Sequence, residues 1–323
     1  MSTAPRADAG DPRPLPEDWR RRLVAGERRV LARVLSVLEE DSARAGAIES
    51  TVAELARPCP VVGFTGAPGV GKSTLIDAYL RELRTRGRSV GVLAVDPSSA
   101  RSGGALLGDR ARMLRHSGDT GIYIRSLATR GHLGGLVRAA QRLVDALRAA
   151  RFDSIVLETV GTGQSEIQLA EVATTSVVVC APGMGDELQA LKAGILEIAD
   201  IVVVNKADQL DPAATQRALR EALGAQVPVL VSVAISGAGI VELADAIDRH
   251  GNDAHTDVDP RERLRARLEA QVLELARARF TALDAAMLDT LLDAIEHHRT
   301  TPQAVAVRLL AGQAPLPDHD CLS

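Results

Sequence analysis

The chain is predicted to be an α/β protein with a mainly parallel sheet, flanked by helical extensions at its N- and C-terminal ends. Three observations predict it. Between residues 58 and 250, short apolar runs alternate with amphipathic helical patterns, as successive βα units require. One run, Pro60-Val61-Val62-Gly63-Phe64, feeds a glycine-rich turn and then a helical pattern from Thr74 through Leu83. Outside this region, stripes at helical spacing replace the alternation.

Residues 1–16 are rich in proline and small polar side chains and are expected to form a disordered tail. Residues 17–57 read as an N-terminal helical extension, with Leu31, Val34, Leu35 and Leu38 on one stripe. Within the α/β region, 58–250, further strands are expected at Ser89–Val95 (ending at Asp96), Phe152–Leu157 (ending at Glu158), Ser176–Ala181, Ile201–Val204 and Val227–Val233. Ligand-binding groups of open α/β sheets gather at the carboxyl ends of strands, and Asp96, Glu158 and Asn205 all fall there. Gly251 to Pro260 is polar and acidic and reads as a linker. Arg261–Phe280 follows a helical pattern with Leu264, Leu268, Val272 and Leu275 on one face. Leu288, Leu291, Leu292 and Ile295 make a second stripe. Thr301-Pro302 reads as an N-cap with proline at the first helical position, opening a third helix through Leu310. Residues 251–323 are therefore expected to form a helical arm whose stripes can pack on its own domain or on a second copy, and the second reading, a dimerisation arm, is preferred.

Composition limits the function. A formal charge of −4 over 323 residues offers no electrostatic footprint for nucleic acid. No uncharged apolar stretch of membrane-spanning length occurs, and Met1 to Pro16 lacks a signal-peptide core. Cys59, Cys180 and Cys321 are isolated and read as free thiols in a reducing compartment. A cytoplasmic protein without a membrane or nucleic-acid partner is expected.

The organising motif is Gly66-Ala67-Pro68-Gly69-Val70-Gly71-Lys72-Ser73, which matches G-x-x-x-x-G-K-[ST] between a strand and a helix that continues at Thr74. Glycines let successive N–H groups curl around the β- and γ-phosphates, Lys72 adds charge on the same oxygens, and the Ser73 hydroxyl can ligate Mg2+. Asn205-Lys206-Ala207-Asp208 follows the apolar run Ile201–Val204. A carboxylate at Asp208 can accept from guanine N1–H and the 2-amino group, neither of which adenine offers, while the Lys206 stem lies across the base. GTP and GDP are therefore the expected nucleotides. Glu158-Thr159-Val160-Gly161 places a carboxylate near the metal and a backbone N–H, that of Gly161, near the γ-phosphate. Asp96 and Asp109 are the remaining candidates for the magnesium shell, which takes few direct carboxylates. Arg101, Arg110, Arg112, Arg115, Arg125 and Arg130 read mainly as a solvated face. Gln164 is chemically suited to orient the attacking water, a role these residues leave open.

At this point the chain resembles the MeaB/ArgK-type GTPases. The resemblance rests on Gly63 through Ser73, Val95-Asp96-Pro97-Ser98-Ser99, Ser102 through Arg110 and Arg125 through Gly131. It continues through Glu158 to Glu166, Pro182 through Gln189 and Asn205 through Asp208. It implies a P-loop nucleoside-triphosphatase fold, slow magnesium-dependent GTP hydrolysis and a homodimer. It also implies a partner, an adenosylcobalamin-dependent acyl-CoA mutase such as methylmalonyl-CoA mutase, whose cofactor loading and protection the protein serves. Lys72 and Ser73 would hold phosphate and magnesium, with Asp96, Asp109 and Glu158 in the magnesium and switch region. Gly183 to Gln189 would be a mobile switch. Two departures stand out. Where such proteins carry Ser-Ala after the last strand, this chain has Val233-Ala234, so the Ala234 N–H can reach guanine O6 but the bracing hydroxyl is absent. An Asp near Thr175-Ser176 is also missing. A nickel metallochaperone GTPase would need a histidine-rich tract or C-x-x-C, and only His297-His298 is present. A kinase of an amino-acid transport system fits poorly with the guanine signature.

Overall fold

The computed structural model describes residues 15–39, 43–96, 116, 118–128, 135–159, 172–183, 196–209, 211–224, 226–257, 265, 268–269, 272–273, 276 and 279–312. The chain divides into two compact units, Met1–Asp257 and Val258–Ser323.

The first unit begins with helices α1 (Trp19–Val24), α2 (Arg28–Glu39) and α3 (Ala43–Leu55). The expected stripe is their core: Leu31, Val34 and Leu35 are fully buried and Leu38 nearly so. The α/β region then runs β1 (Val61–Thr65), α4 (Lys72–Thr85), β2 (Val90–Asp96), β3 (Ile122–Ala128) and α5 (Gly135–Ala149). It continues with β4 (Ser154–Thr159), β5 (Thr175–Cys180), β6 (Ile201–Val204), α6 (Pro212–Leu223), β7 (Val229–Val231) and α7 (Ile240–Asp257). The strands form one seven-stranded sheet in the order β3-β2-β4-β1-β5-β6-β7, every neighbouring pair parallel.

Strand alternation sorts the core into two faces. Val62 and Phe64 of β1, Val177 and Val179 of β5 and Val203 of β6 pack with Leu75, Tyr79 and Leu83 of α4 and Leu243 and Ile247 of α7. On the opposite face Val61, Leu93, Ile155 and Leu157 meet α2, α3 and α5, and Val178, Cys180 and Val204 meet Leu219 of α6. Burial on both faces explains the near-continuous apolar runs of the central strands. β1 lies between β4 and β5, so the chain leaves it for one half of the sheet and returns to the other. The carboxyl ends of β1, β4 and β5 therefore border the crevice where such sheets bind ligands.

Two expectations need correction. Residues 122–128 form the edge strand β3, in full register with β2 from Val90↔Ile122 to Asp96↔Ala128. Arg125 on it is not a solvated side chain: its Nε and Nη2 each donate to Glu39 of α2 at 3.0 Å, and Nη2 also reaches Ser36 Oγ. Residues 251–257, read as linker, continue α7, which ends at Asp257.

In the second unit, the described residues of 265–281 are helical, followed by α8 (Ala285–Glu296) and α9 (Pro302–Leu310). Thr301 caps α9 as its sequence predicts, its hydroxyl accepting from the Ala304 N–H, with Pro302 at the first helical position. Among the described residues, no helix is long and apolar enough to cross a membrane.

Candidate functional site

The glycine-rich turn leaves β1 at Thr65 and ends at Gly71, the residue that caps α4. Two glycines are required by space. Gly66 has φ +140°, and a Cβ there would sit 2.1 Å from the Val179 carbonyl oxygen of β5. Gly71 has φ +93°, and a Cβ would lie 2.5 Å from Asn205 Nδ2. The Lys72 ammonium bends back over the turn, donating to Gly66 O at 2.6 Å and Ala67 O at 3.0 Å. It is only 8% exposed. A buried cation at a helix N-terminus is an arrangement that can accept an anion.

Glu158, the next-to-last residue of β4, faces the first turn of α4. It is 4% exposed, and the Ser73 hydroxyl donates to its Oε1 at 2.5 Å. A hydroxyl and a carboxylate converging beside a phosphate cradle form a hard-oxygen pair of the kind Mg2+ takes alongside phosphate oxygens and water, so these residues fit that ion. Asp96 ends β2, the strand next to β4, with Val95 in register with Thr159. Asp109, Gly161, Gln164 and Met184 to Gln189 lie outside the described residues. Among the described residues, no cluster of three or more His, Cys, Asp or Glu side chains could hold a metal by itself.

Asn205, the first residue of the N-K-x-D run, is 1% exposed and spends its whole side chain inside the protein. Its Nδ2 donates to Val70 O of the phosphate loop at 3.0 Å. Its Oδ1 accepts from Ser232 Oγ and from the Ala234 N–H, both at 3.1 Å. Asn205 therefore joins the glycine-rich loop to the loop after β7. Lys206 has φ +58° and runs past Gly71, where a Cβ would be 3.7 Å from its Cε. Asp208 is exposed.

The loop after β7 corrects two expectations. The Ala234 N–H, read as the donor to guanine O6, already donates to Asn205. The bracing hydroxyl is not absent either. Ser232, one residue before Val233, supplies it to Asn205, and Ser236 Oγ donates to Val233 O at 3.1 Å. Val233 also pairs with Ala238 across an antiparallel bridge. Neither serine was singled out by sequence, although both lie within three residues of the Val-Ala pair.

Free thiols are as expected where described: Cys59 and Cys180 are buried and unpaired with each other. Burial pushes the Cys180 thiol up to about 12, so it is inert at neutral pH.

Comparison with known proteins shows the family to which the chain belongs. A family model described as methylmalonyl-CoA mutase-associated GTPase MeaB matches residues 31–289. A putative GTPase of Pyrococcus abyssi is 44% identical over 261 residues, covering 78% of this chain and 81% of that protein. The mitochondrial methylmalonic aciduria type A homolog of Mus musculus is 36% identical over 250 residues, covering 70% of this chain and 60% of that protein. Among solved structures, one described as LAO/AO transport system kinase matches with a TM-score of 0.60 and 26% identity, over 91% of this chain and 96% of that one.

Proposed function

Because the chain belongs to the MeaB family of methylmalonyl-CoA mutase-associated GTPases, we propose that it is a magnesium-dependent GTP switch serving an adenosylcobalamin-dependent acyl-CoA mutase. The observation that carries this reading is the joint at Asn205, where one buried amide ties the glycine-rich loop to the loop after β7, three residues before the exposed Asp208.

Within the site, Lys72 and the backbone N–H groups of residues 66–74, Pro68 excepted, hold the β- and γ-phosphates. Ser73 and Glu158 hold Mg2+, with Asp96 and Asp109 as further members of its shell. When bound, the ion neutralises developing charge on the phosphoryl oxygens. Asp208 accepts from guanine N1–H and the 2-amino group, and Lys206 covers the ring. Gly161 reports loss of the γ-phosphate. ATP would leave the Asp208 carboxylate without its donors, which disfavours it.

The second unit supports a homodimer. Leu268, Leu273 and Val307 are each at least 60% exposed, and Val272, Phe280, Leu292 and Leu310 more than half. Apolar surface of that extent is a contact surface or an aggregation hazard. Light scattering on purified protein tests it: a mass of two chains is expected, and a monomer at micromolar concentration contradicts it. The partner is tested by mixing the protein with an adenosylcobalamin-dependent acyl-CoA mutase in GDP and in a non-hydrolysable GTP analogue. A complex whose stability depends on the nucleotide is expected, and no complex in either state contradicts the reading.

A further inference from the structure

The guanine reading above treats base and phosphate as two subsites; resting on that reading, we infer that Ser232 is a positioning residue that couples them through Asn205. The chemistry at Asn205 admits one orientation. Ala234 offers only an N–H, so the amide oxygen must face it, and the amide nitrogen then faces the Val70 carbonyl, an acceptor only. Ser232 adds a second donor to the same oxygen and so locks that choice.

Ser232 is itself fixed. It is 2% exposed, its N–H donates to Val204 O at 2.9 Å, and its carbonyl accepts from the Ala207 N–H at 3.1 Å. The backbone between β6 and β7 thus holds the hydroxyl in place. At the other end, only a glycine at 71 lets the Asn205 amide come close, since a Cβ would fall 2.5 Å from Nδ2. Val70 lies in the loop whose N–H groups face the phosphates. A hydroxyl on the base side therefore sets the geometry of the phosphate cradle.

Removing the hydroxyl leaves Oδ1 with one donor, so the amide is held less firmly in its one orientation and its hold on Val70 weakens. The effect reaches a ligand that has no base at all. That distinguishes coupling from a merely local role in the base loop.

The test is titration calorimetry of wild-type, Ser232→Ala and Ser232→Thr proteins with Mg·GDP and with Mg·tripolyphosphate. Ser232→Ala is expected to weaken both ligands by about fivefold, the size of one lost hydrogen bond, and Ser232→Thr to restore both to within about twofold. Weakened GDP with unchanged tripolyphosphate overturns the coupling, as does unchanged affinity for both. A wild-type protein that fails to prefer GDP over ADP overturns the guanine reading instead, and the tripolyphosphate comparison still decides the coupling.

Discussion

The Ser73 hydroxyl donates to Glu158 Oε1 at 2.5 Å, across the gap between the first turn of α4 and the end of β4. Under the proposed function this pair would hold Mg2+, apart from the base-binding residues, and the two roles can be tested separately. Glu158→Gln keeps the shape and removes the charge. Magnesium-dependent GTP hydrolysis is expected to fall by roughly 100-fold, while GDP binding in chelator changes by less than about threefold. Equal losses in both assays would mean that Glu158 is structural.

Asp208 is exposed, and in the proposed function it meets guanine through a carboxylate, so its chemistry can be inverted. Asp208→Asn presents an N–H where guanine carries its 2-amino group and xanthine carries a carbonyl. GDP affinity is expected to drop at least about tenfold and the xanthine nucleotide to become the better ligand. Competition binding with the two diphosphates checks this.

The end of α4 and the residues after it are held to α7 by arginines. Arg88 donates from both terminal nitrogens to Asp248, at 2.6 and 2.9 Å, and Arg86 reaches Asp245 at 2.8 Å. Asp248→Ala breaks a bidentate pair that is about one-third exposed and leaves Arg88 beside the buried Tyr79 ring. A loss of about 1 kcal/mol is expected, read as a lower midpoint in urea.

Asp119 contributes a pH dependence. The Arg84 guanidinium and then the Gly121 N–H hold its carboxyl below the usual range. A carboxyl lowered on folding stabilises the protein above the unfolded pKa, about 3.9, and loses that contribution as pH falls through the lowered value. Asp119→Asn is expected to be less stable than wild type at pH 7, with the two converging as pH falls below about 3.9. Melting curves across that range test it.

Much of this was legible in the sequence because the signals were local. The phosphate loop, the N-K-x-D run at a strand end and the Thr301-Pro302 cap each state their structure within a few residues. What was missed depends on distant partners. β3 reads Ile-Tyr-Ile-Arg-Ser-Leu-Ala, and its Arg125 looked like a solvent group because Glu39, its partner, lies 86 residues earlier. The polar stretch after His250 looked like a linker, yet α7 carries on through it to Asp257. The missing brace at Val233 was inferred by position, and the fold supplies a hydroxyl from the preceding residue instead.

Calorimetry comparing Mg·GDP with Mg·ADP tests the central claim most directly. The account predicts GDP binding at least about 100-fold tighter than ADP, because only guanine supplies donors to Asp208. Equal affinity for the two, or binding of neither, would contradict it.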